Sequence, residues 1–297
     1  MNNIPSNNPA ILNFVDKIAQ LDLATLKRTQ KPKDIAGQPL RGIYHYEVIE
    51  RVAALCEKHH LNYEIEEIFA AQNKNKNLPG VVILKDAEKI YGENAVEAHI
   101  LNRVFTTIRI KDCDTDELTT TIALAYHQEG IQFAIGPCVR ICHNQCVLCP
   151  ERTASDYGKN KVKTEELFTI MDEWLSNYHN DTNEDRERIK RLKSKIVTLT
   201  EAYTYIGMLT ALRVAHDSSD KRLSEKVETY PLNQGQISLF TEDMLKLYQQ
   251  RGNSPVTAWD LYNIATELYK PGRAEIPVLI PQNVAFVDTM NQFCELL

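Results

Sequence analysis

The sequence predicts an α+β fold: a central antiparallel β-meander packed by helices, with a mostly helical C-terminal half. Three observations carry that expectation. Between residues 104 and 135 three runs of alternating apolar residues follow one another across short polar connections, which is the pattern of strands linked by hairpins. On either side, apolar residues recur at intervals of three and four, the helical period. Hydrophobic residues make up 43% of the 297 and charged residues 25%, so the chain has enough apolar surface to bury a substantial core.

Residues 1–10 are polar and read as a tail. Over 11–26, Ile11, Leu12, Phe14, Val15, Ile18, Ala19 and Leu23 fit one buried stripe of a helix. Two prolines and two glycines interrupt the next stretch. A second helix is predicted over 44–60, where Tyr44, Val48, Val52, Leu55 and Cys56 share a face and charged residues fall between them. Cys56 on that stripe reads as a core thiol. Residues 63–69 alternate as a strand, 73–77 read as a loop tip, 81–84 as a short strand and 86–101 as a helix.

In the meander, Val104, Thr106, Ile108 and Ile110 lie on one strand face and Phe105, Thr107, Arg109 and Lys111 on the other. Leu118 to Tyr126 repeats the alternation, and Ile131, Phe133 and Ile135 form a third strand that Gly136-Pro137 is expected to end. One face should therefore meet helices. The other, bearing Thr, Arg, Lys and His, should meet water or a ligand. Beyond residue 150 a polar loop precedes a helix starting at Thr164 with Leu167, Phe168, Met171, Trp174, Leu175 and Tyr178 inward. Further helices are expected over 200–214, 241–249 and 257–269. The segment after 275 should begin extended, because Pro277 and Pro281 oppose a helix, and end helical. The organisation that follows is 1–36 (N-terminal helix and tail), 37–150 (sheet region) and 151–297 (helical region packing on the sheet).

The net charge of −6 disfavours a general duplex-DNA binder, since phosphate neutralisation supplies much of such affinity, but it leaves room for a local basic groove. The run at 180–195 offers two readings. It is a solvated helix face with opposite-sign pairs, or a phosphate-facing surface built from Arg186, Arg188, Lys190, Arg191, Lys193 and Lys195. No N-terminal signal pattern and no apolar run of membrane-spanning length is visible, so no membrane partner and a cytoplasmic location are expected.

Cys138, Cys142, Cys146 and Cys149 lie close together, with His143 among them. The spacing of the last three matches the loop that holds an Fe–S cluster in radical S-adenosylmethionine enzymes, and four thiolates also suit zinc. Strand geometry opposes zinc, and the Fe–S reading lacks its context, because that motif usually follows the first strand of a βα barrel and here it follows a meander. At ~3.3 Å per residue, Cys138 and Cys142 in one strand stand ~13 Å apart, too far to share an ion with bonds of ~2.3 Å. The main expectation is no cofactor and no metal, with a Cys-ligated Fe–S cluster or zinc as the alternative. No nucleophile–base motif, phosphate loop or zinc-hydrolase signature occurs, so no catalytic residue is assigned and a non-enzymatic role is favoured.

The stretches LNRVFTTIRIKD, GIQFAIGPCVRICHNQCVL, SPVTAWDLYNIATELYKP and IPQNVAF together resemble a phage- and plasmid-like domain-of-unknown-function family, in the branch found in Bacteroidetes mobile elements. The resemblance spans 101–286, with Arg140, Ile141, Cys142 and Asn144 matching one pattern. Trp259, Asp260, Tyr262, Asn263, Thr266 and Glu267 match another, while Cys138, Cys146 and Cys149 stand outside both. It implies a role on replicating or mobile DNA, or in phage–host conflict.

Asp260, Asn263 and Glu267, spaced three and four apart, fall on one helix face as a solvent-facing stripe or an internal polar network. Arg103, Arg109 and Arg140 on or beside the meander are natural partners for these carboxylates, and equally natural phosphate ligands. The sequence thus points first to binding of single-stranded nucleic acid, or of a recombination or replication partner, through Arg103, Arg109, Arg140 and Asn144. Single-strand annealing proteins use a comparable meander and helix, an analogy of fold alone. The alternatives are a Cys-ligated Fe–S or zinc enzyme, and an interaction factor for a phage or host protein. A homo-oligomer is compatible with each.

Overall fold

Alternation becomes sheet in the computed structural model, which describes residues 14–15, 18–29, 31, 38–39, 42–71, 101–114, 118–127, 129–139, 150–158, 161–227, 229–269 and 276–297. The strands are β1 (Phe14–Val15), β2 (Ile18–Leu21), β3 (Tyr63–Ala71), β4 (Arg103–Ile110), β5 (Leu118–Tyr126), β6 (Ile131–Val139) and β7 (Thr153–Ser155). They form one sheet in the order β1-β2-β3-β4-β5-β6-β7, every neighbour antiparallel. The meander is therefore longer than the three strands read from the sequence. The expected strand at 81–84 and helix at 86–101 lie outside the described residues.

The predicted N-terminal helix is corrected. Phe14–Val15 and Ile18–Leu21 are extended and add two strands to the edge of β3, with Ile18 opposite Ala71 and Leu21 opposite Ile68. Among the described residues of this stretch only α1 (Leu23–Arg28) is helical, opened by the Asp22 carboxylate accepting from Thr25 N–H at 2.7 Å. Phe14, Val15, Ile18 and Ala19 suit either period. Pairing satisfies the backbone of β3, which would otherwise present an open edge.

β6 runs through Gly136-Pro137 to Val139 instead of ending there. β7 pairs only with Gln132, Phe133 and Ala134, so Pro137 lies where β6 has no described neighbour on that side and its missing N–H breaks no ladder bond there. The β5–β6 turn needs Gly130, because a Cβ there would collide with the Asp156 carboxylate and the Tyr157 ring. That closeness lets Asp156 accept from Ile131 N–H at 2.7 Å.

One sheet face presents Val104, Ile108, Ile122, Leu124, Tyr126, Phe133 and Ile135, all buried. It packs against α2 (His45–Lys58) and the first half of α3 (Thr164–Ser194), through Val48, Val52 and Cys56 and through Leu167, Phe168, Met171, Leu175 and Tyr178. Cys56 is the core thiol its position predicted, and burial pushes it up to about 12. Asp172 of α3 grips both Lys58 and His59, each at 2.6 Å, which fixes the two helices together. The capping pattern expected at Thr164 is not what opens α3. Lys163 is the N-cap without a side-chain bond, and Thr164 instead donates to Asp156 at 3.0 Å.

The remaining elements are β8 (Ile196–Val197), α4 (Leu199–His216), α5 (Lys221–Ser224), α6 (Gln234–Gln250), β9 (Val256–Thr257), α7 (Ala258–Thr266) and α8 (Ile276–Leu296). α6 begins seven residues before the predicted start, where Asn233 and Gln236 bond reciprocally in a capping box. α8 is a second correction, being helical from its start despite two prolines. Pro277 sits in the first turn, where no intrahelical acceptor exists for an N–H. Pro281 removes one bond, but the neighbouring Leu279 and Ile280 are seated on the second sheet face against Phe105, Ala123, Ala125 and Ala134.

The second face is thus covered at one end. α3 and α8 approach the sheet from opposite sides with their first halves. Their second halves, through Ile189 and Leu192 and through Phe286, Val287, Met290 and Phe293, enter a separate helical core. Phe286 is the hub of that core, with the rings of Tyr205, Phe240, Tyr262 and Tyr269 centred 5.7, 6.0, 6.3 and 6.1 Å away. Tyr248 and Tyr269 anchor the hub by donating to the Val197 and Pro231 carbonyls at 2.8 and 2.9 Å.

Candidate functional site

The uncovered end of the second sheet face carries Glu64, Glu66, Thr107, Arg109, Lys111, Thr119 and Thr121, as strand register dictates. It does not lie open: Thr107, Thr119 and Thr121 are all buried, at 1%, 5% and 1% exposure. Thr107 donates to Glu66, and Lys111 pairs with Glu64 at 2.9 Å. Arg109 is paired with Asp114 through Nη2, and its Nε donates to Thr119 at 3.2 Å. The Asp114 carboxylate raises the Arg109 guanidinium further above its usual value. Arg109 therefore meets a carboxylate of its own hairpin. Arg103 opens β4 opposite Ala71, and Arg140 and Asn144 lie outside the described residues.

Cys138 is in β6, in register with Thr119. Cys142, Cys146 and Cys149 lie outside the described residues. Among the described residues, no three His, Cys, Asp or Glu side chains are placed to hold a metal ion.

The polar stripe of α7 divides by role. Asp260 closes a capping box, accepting from the Thr257 N–H at 2.8 Å and hydroxyl at 2.7 Å. Arg251 grips the same carboxylate through both terminal nitrogens, at 3.1 and 2.9 Å. Its partner is thus the arginine closing the preceding helix, not one of the meander. Burial pushes the Asp260 carboxyl up, but the two Thr257 donors and Arg251 together outweigh this and hold it below its usual value. Its stabilising contribution is present above the unfolded value and fades as pH falls through the depressed one. Asp260→Ala should cost about 1–2 kcal/mol, read from the urea midpoint, by removing the cap and its charge partner. Asn263 keeps a buried side-chain oxygen that accepts no hydrogen bond among the described residues, and Glu267 caps the helix C-terminus.

α7 also carries a feature that single-residue reading missed. Trp259 is stacked on Tyr262, ring centroids 5.4 Å apart and 18° from parallel, and the Lys193 ammonium sits 5.6 Å from the indole centroid. Lys193 belongs to the last turn of α3. Arg186, Lys190 and Lys193 follow one another at intervals of four and three, so they share a face of that helix, and all are exposed, as is Arg191. The charged run carries opposite-sign pairs, as its solvated-face reading expects. Lys190–Glu187 is an exposed opposite-sign pair, and Arg188 turns aside to Glu151 at 2.6 Å. The face that bears Arg186, Lys190 and Lys193 ends against an aromatic pair. Its i, i+4, i+7 spacing was visible in the sequence; the approach of Trp259 needed the fold. No described helix is long and apolar enough to cross a membrane.

No family model, curated protein or solved structure matches the chain.

Proposed function

We propose that the protein is a non-enzymatic binder of single-stranded nucleic acid, acting on mobile or replicating DNA, with α3 and α7 as its contact surface. The observation that carries this reading is the row Arg186–Lys190–Lys193 running up to the Trp259–Tyr262 stack. Cations spaced along a helix face suit successive phosphates, and an aromatic face beside them suits an unstacked base without regard to sequence. Binding transfers Lys193 from the indole to a phosphate and leaves the ring to the base. The overall charge of −6 confines the contact to a few phosphates. The resemblance to phage- and plasmid-like proteins supports the setting. The interface differs from the meander arginines first considered, because Arg109 is engaged by Asp114.

Anisotropy of a labelled oligothymidylate, measured across a salt series, tests the reading. Three to four phosphate contacts give a log–log salt slope of about −2 to −3 for a single strand. Arg186→Glu, Lys190→Glu and Lys193→Glu combined should abolish binding, and Trp259→Ala should weaken it about tenfold by removing a stacking platform. Binding that is absent at low salt, or that survives the triple variant and instead needs Arg103, Arg109 and Arg140, overturns this interface.

A further inference from the structure

α3 and α8 both pack on the sheet and both enter the helical core, and each changes core across a stretch unsuited to a helix interior. In α3 the last buried side chain on the sheet is Tyr178, and the first in the helical core is Ile189. Residues 179–188 between them include no apolar residue, and Asn180, Asp181, Thr182 and Asn183 in succession rank low as helix formers. In α8 the change falls between Ile280, on the sheet, and Phe286, in the helical core. There Pro281 removes a backbone bond, and Gln282 and Asn283 bury polar side chains between two apolar stripes.

Two ion pairs cross the same joint. Glu151 and Arg152 belong to the single turn Pro150–Arg152 that leads into β7, on the sheet side, and they reach Arg188 and Asp185 of α3 beyond Tyr178. That turn also packs on α8, so both helices pass beside it. The inner pair, Arg152–Asp185, is buried. Burial strips both ions of hydration, so the attraction within such a pair does little more than offset the desolvation. Drawing the two apart into water restores that hydration, and the joint parts at small cost. Deleting one partner restores nothing to the other while the joint stays closed.

We infer that the sheet half and the helical half are hinged at the midpoints of α3 and α8, with Arg152–Asp185 as the latch that closes the joint. A hinge needs a few positions that absorb the change in backbone angle, and it needs them in every element that crosses the joint. One uninterrupted helix through it would hold both cores in register. Here both crossing helices are weakened, and the pairs that span the joint are ionic instead of apolar. The swing carries the cation row of α3 with the helical half, relative to β7. The hinge does not depend on that row binding nucleic acid.

Hydrogen exchange of the full chain, read by mass spectrometry, tests this. In the wild type the amides of 179–184 and 282–285 should exchange at least about tenfold faster than those of 167–175 in α3 and 287–293 in α8. Arg152→Met combined with Asp185→Leu should bolt the joint, because an apolar pair gains nothing from water on opening. Exchange should then slow in both segments by a common factor, at least about fivefold relative to β4 and β5. Wild-type segments as protected as their flanks overturn the inference. So does slowing in α3 alone, an equal change in β4 and β5, or no change. Should the double variant misfold, Pro281→Ala decides. Restoring the α8 bond should slow 179–184 as well as 282–285, and an effect confined to α8 removes the hinge.

Discussion

Arg152→Ala should destabilise the fold by about 3–5 kcal/mol, which is the cost of leaving one member of a buried ion pair without its counter-charge. Arg152 enters β7 and its guanidinium meets Asp185 in the second half of α3, with side-chain exposures of only 9% and 4%. The neighbouring pair Glu151–Arg188 repeats the connection on the surface, where Glu151 is 53% exposed and screening leaves little energy. Arg188→Ala should therefore change stability by less than about 1 kcal/mol. A double replacement, Arg152→Met with Asp185→Leu, separates the pair's net worth from the penalty of an orphaned charge. It should recover most of the loss, because two apolar side chains need no solvation. Urea denaturation of the four chains checks this. A double variant as unstable as Arg152→Ala would show instead that the pair fixes geometry no apolar packing can replace.

Lowering the pH from 7 to 5 should cost about 2 kcal/mol through His45 alone, at ~1.36 kcal/mol per unit below an unfolded value of ~6.5. His45, the first residue of α2, is fully buried, and burial holds its folded value down to about 3. The geometry agrees. Nδ1 accepts the Tyr46 N–H at 2.8 Å, so a proton there would face another donor, and Nε2 has no hydrogen-bond partner among the described residues. The Tyr126 ring lies edge-on, 5.8 Å away. In the window between the two values the unfolded chain binds a proton that the folded chain refuses. Stability is therefore full above pH ~6.5, falls as pH drops through the window, and levels off near the folded value. His45→Gln keeps an acceptor and removes the titration. Its unfolding midpoint should vary less between pH 7 and 5 than that of the wild type, by the slope His45 supplies. Equal slopes in the two chains would mean that His45 is protonated in place.

What the sequence made legible was whatever depended on neighbours along the chain. The alternation of Val104 to Ile135 and the stripe of Val48, Val52 and Cys56 reported their own burial, because a strand or helix face is written in its period. The strands at Phe14–Val15 and Ile18–Leu21 were not legible, since a few apolar residues fit both periods and pairing at the edge of β3 decided between them. Pro277 and Pro281 misled in the same way: local preference opposed a helix that packing on the sheet enforces. For the site, the three-and-four spacing of Asp260 and Asn263 correctly put them on one helix, but the partner of Asp260 depended on how the chain turns after α6. The pairing of Arg109 with Asp114 was within reach, because a hairpin brings its two ends together. The meeting of Lys193 with Trp259 was not, since only the packing of α7 against the end of α3 creates it.

The order in which the sheet acquires its two covers has a consequence for synthesis. The α2–α3 side can close while the helical half is still being translated. The other side exposes Phe105, Ala123, Ala125 and Ala134 until residues 276–280 have left the ribosome. A nascent chain must carry that wet apolar slab through the making of α4, α6 and α7. The interval in which it can stick to another molecule is set by elongation, and it ends when the last long helix lies down on the slab.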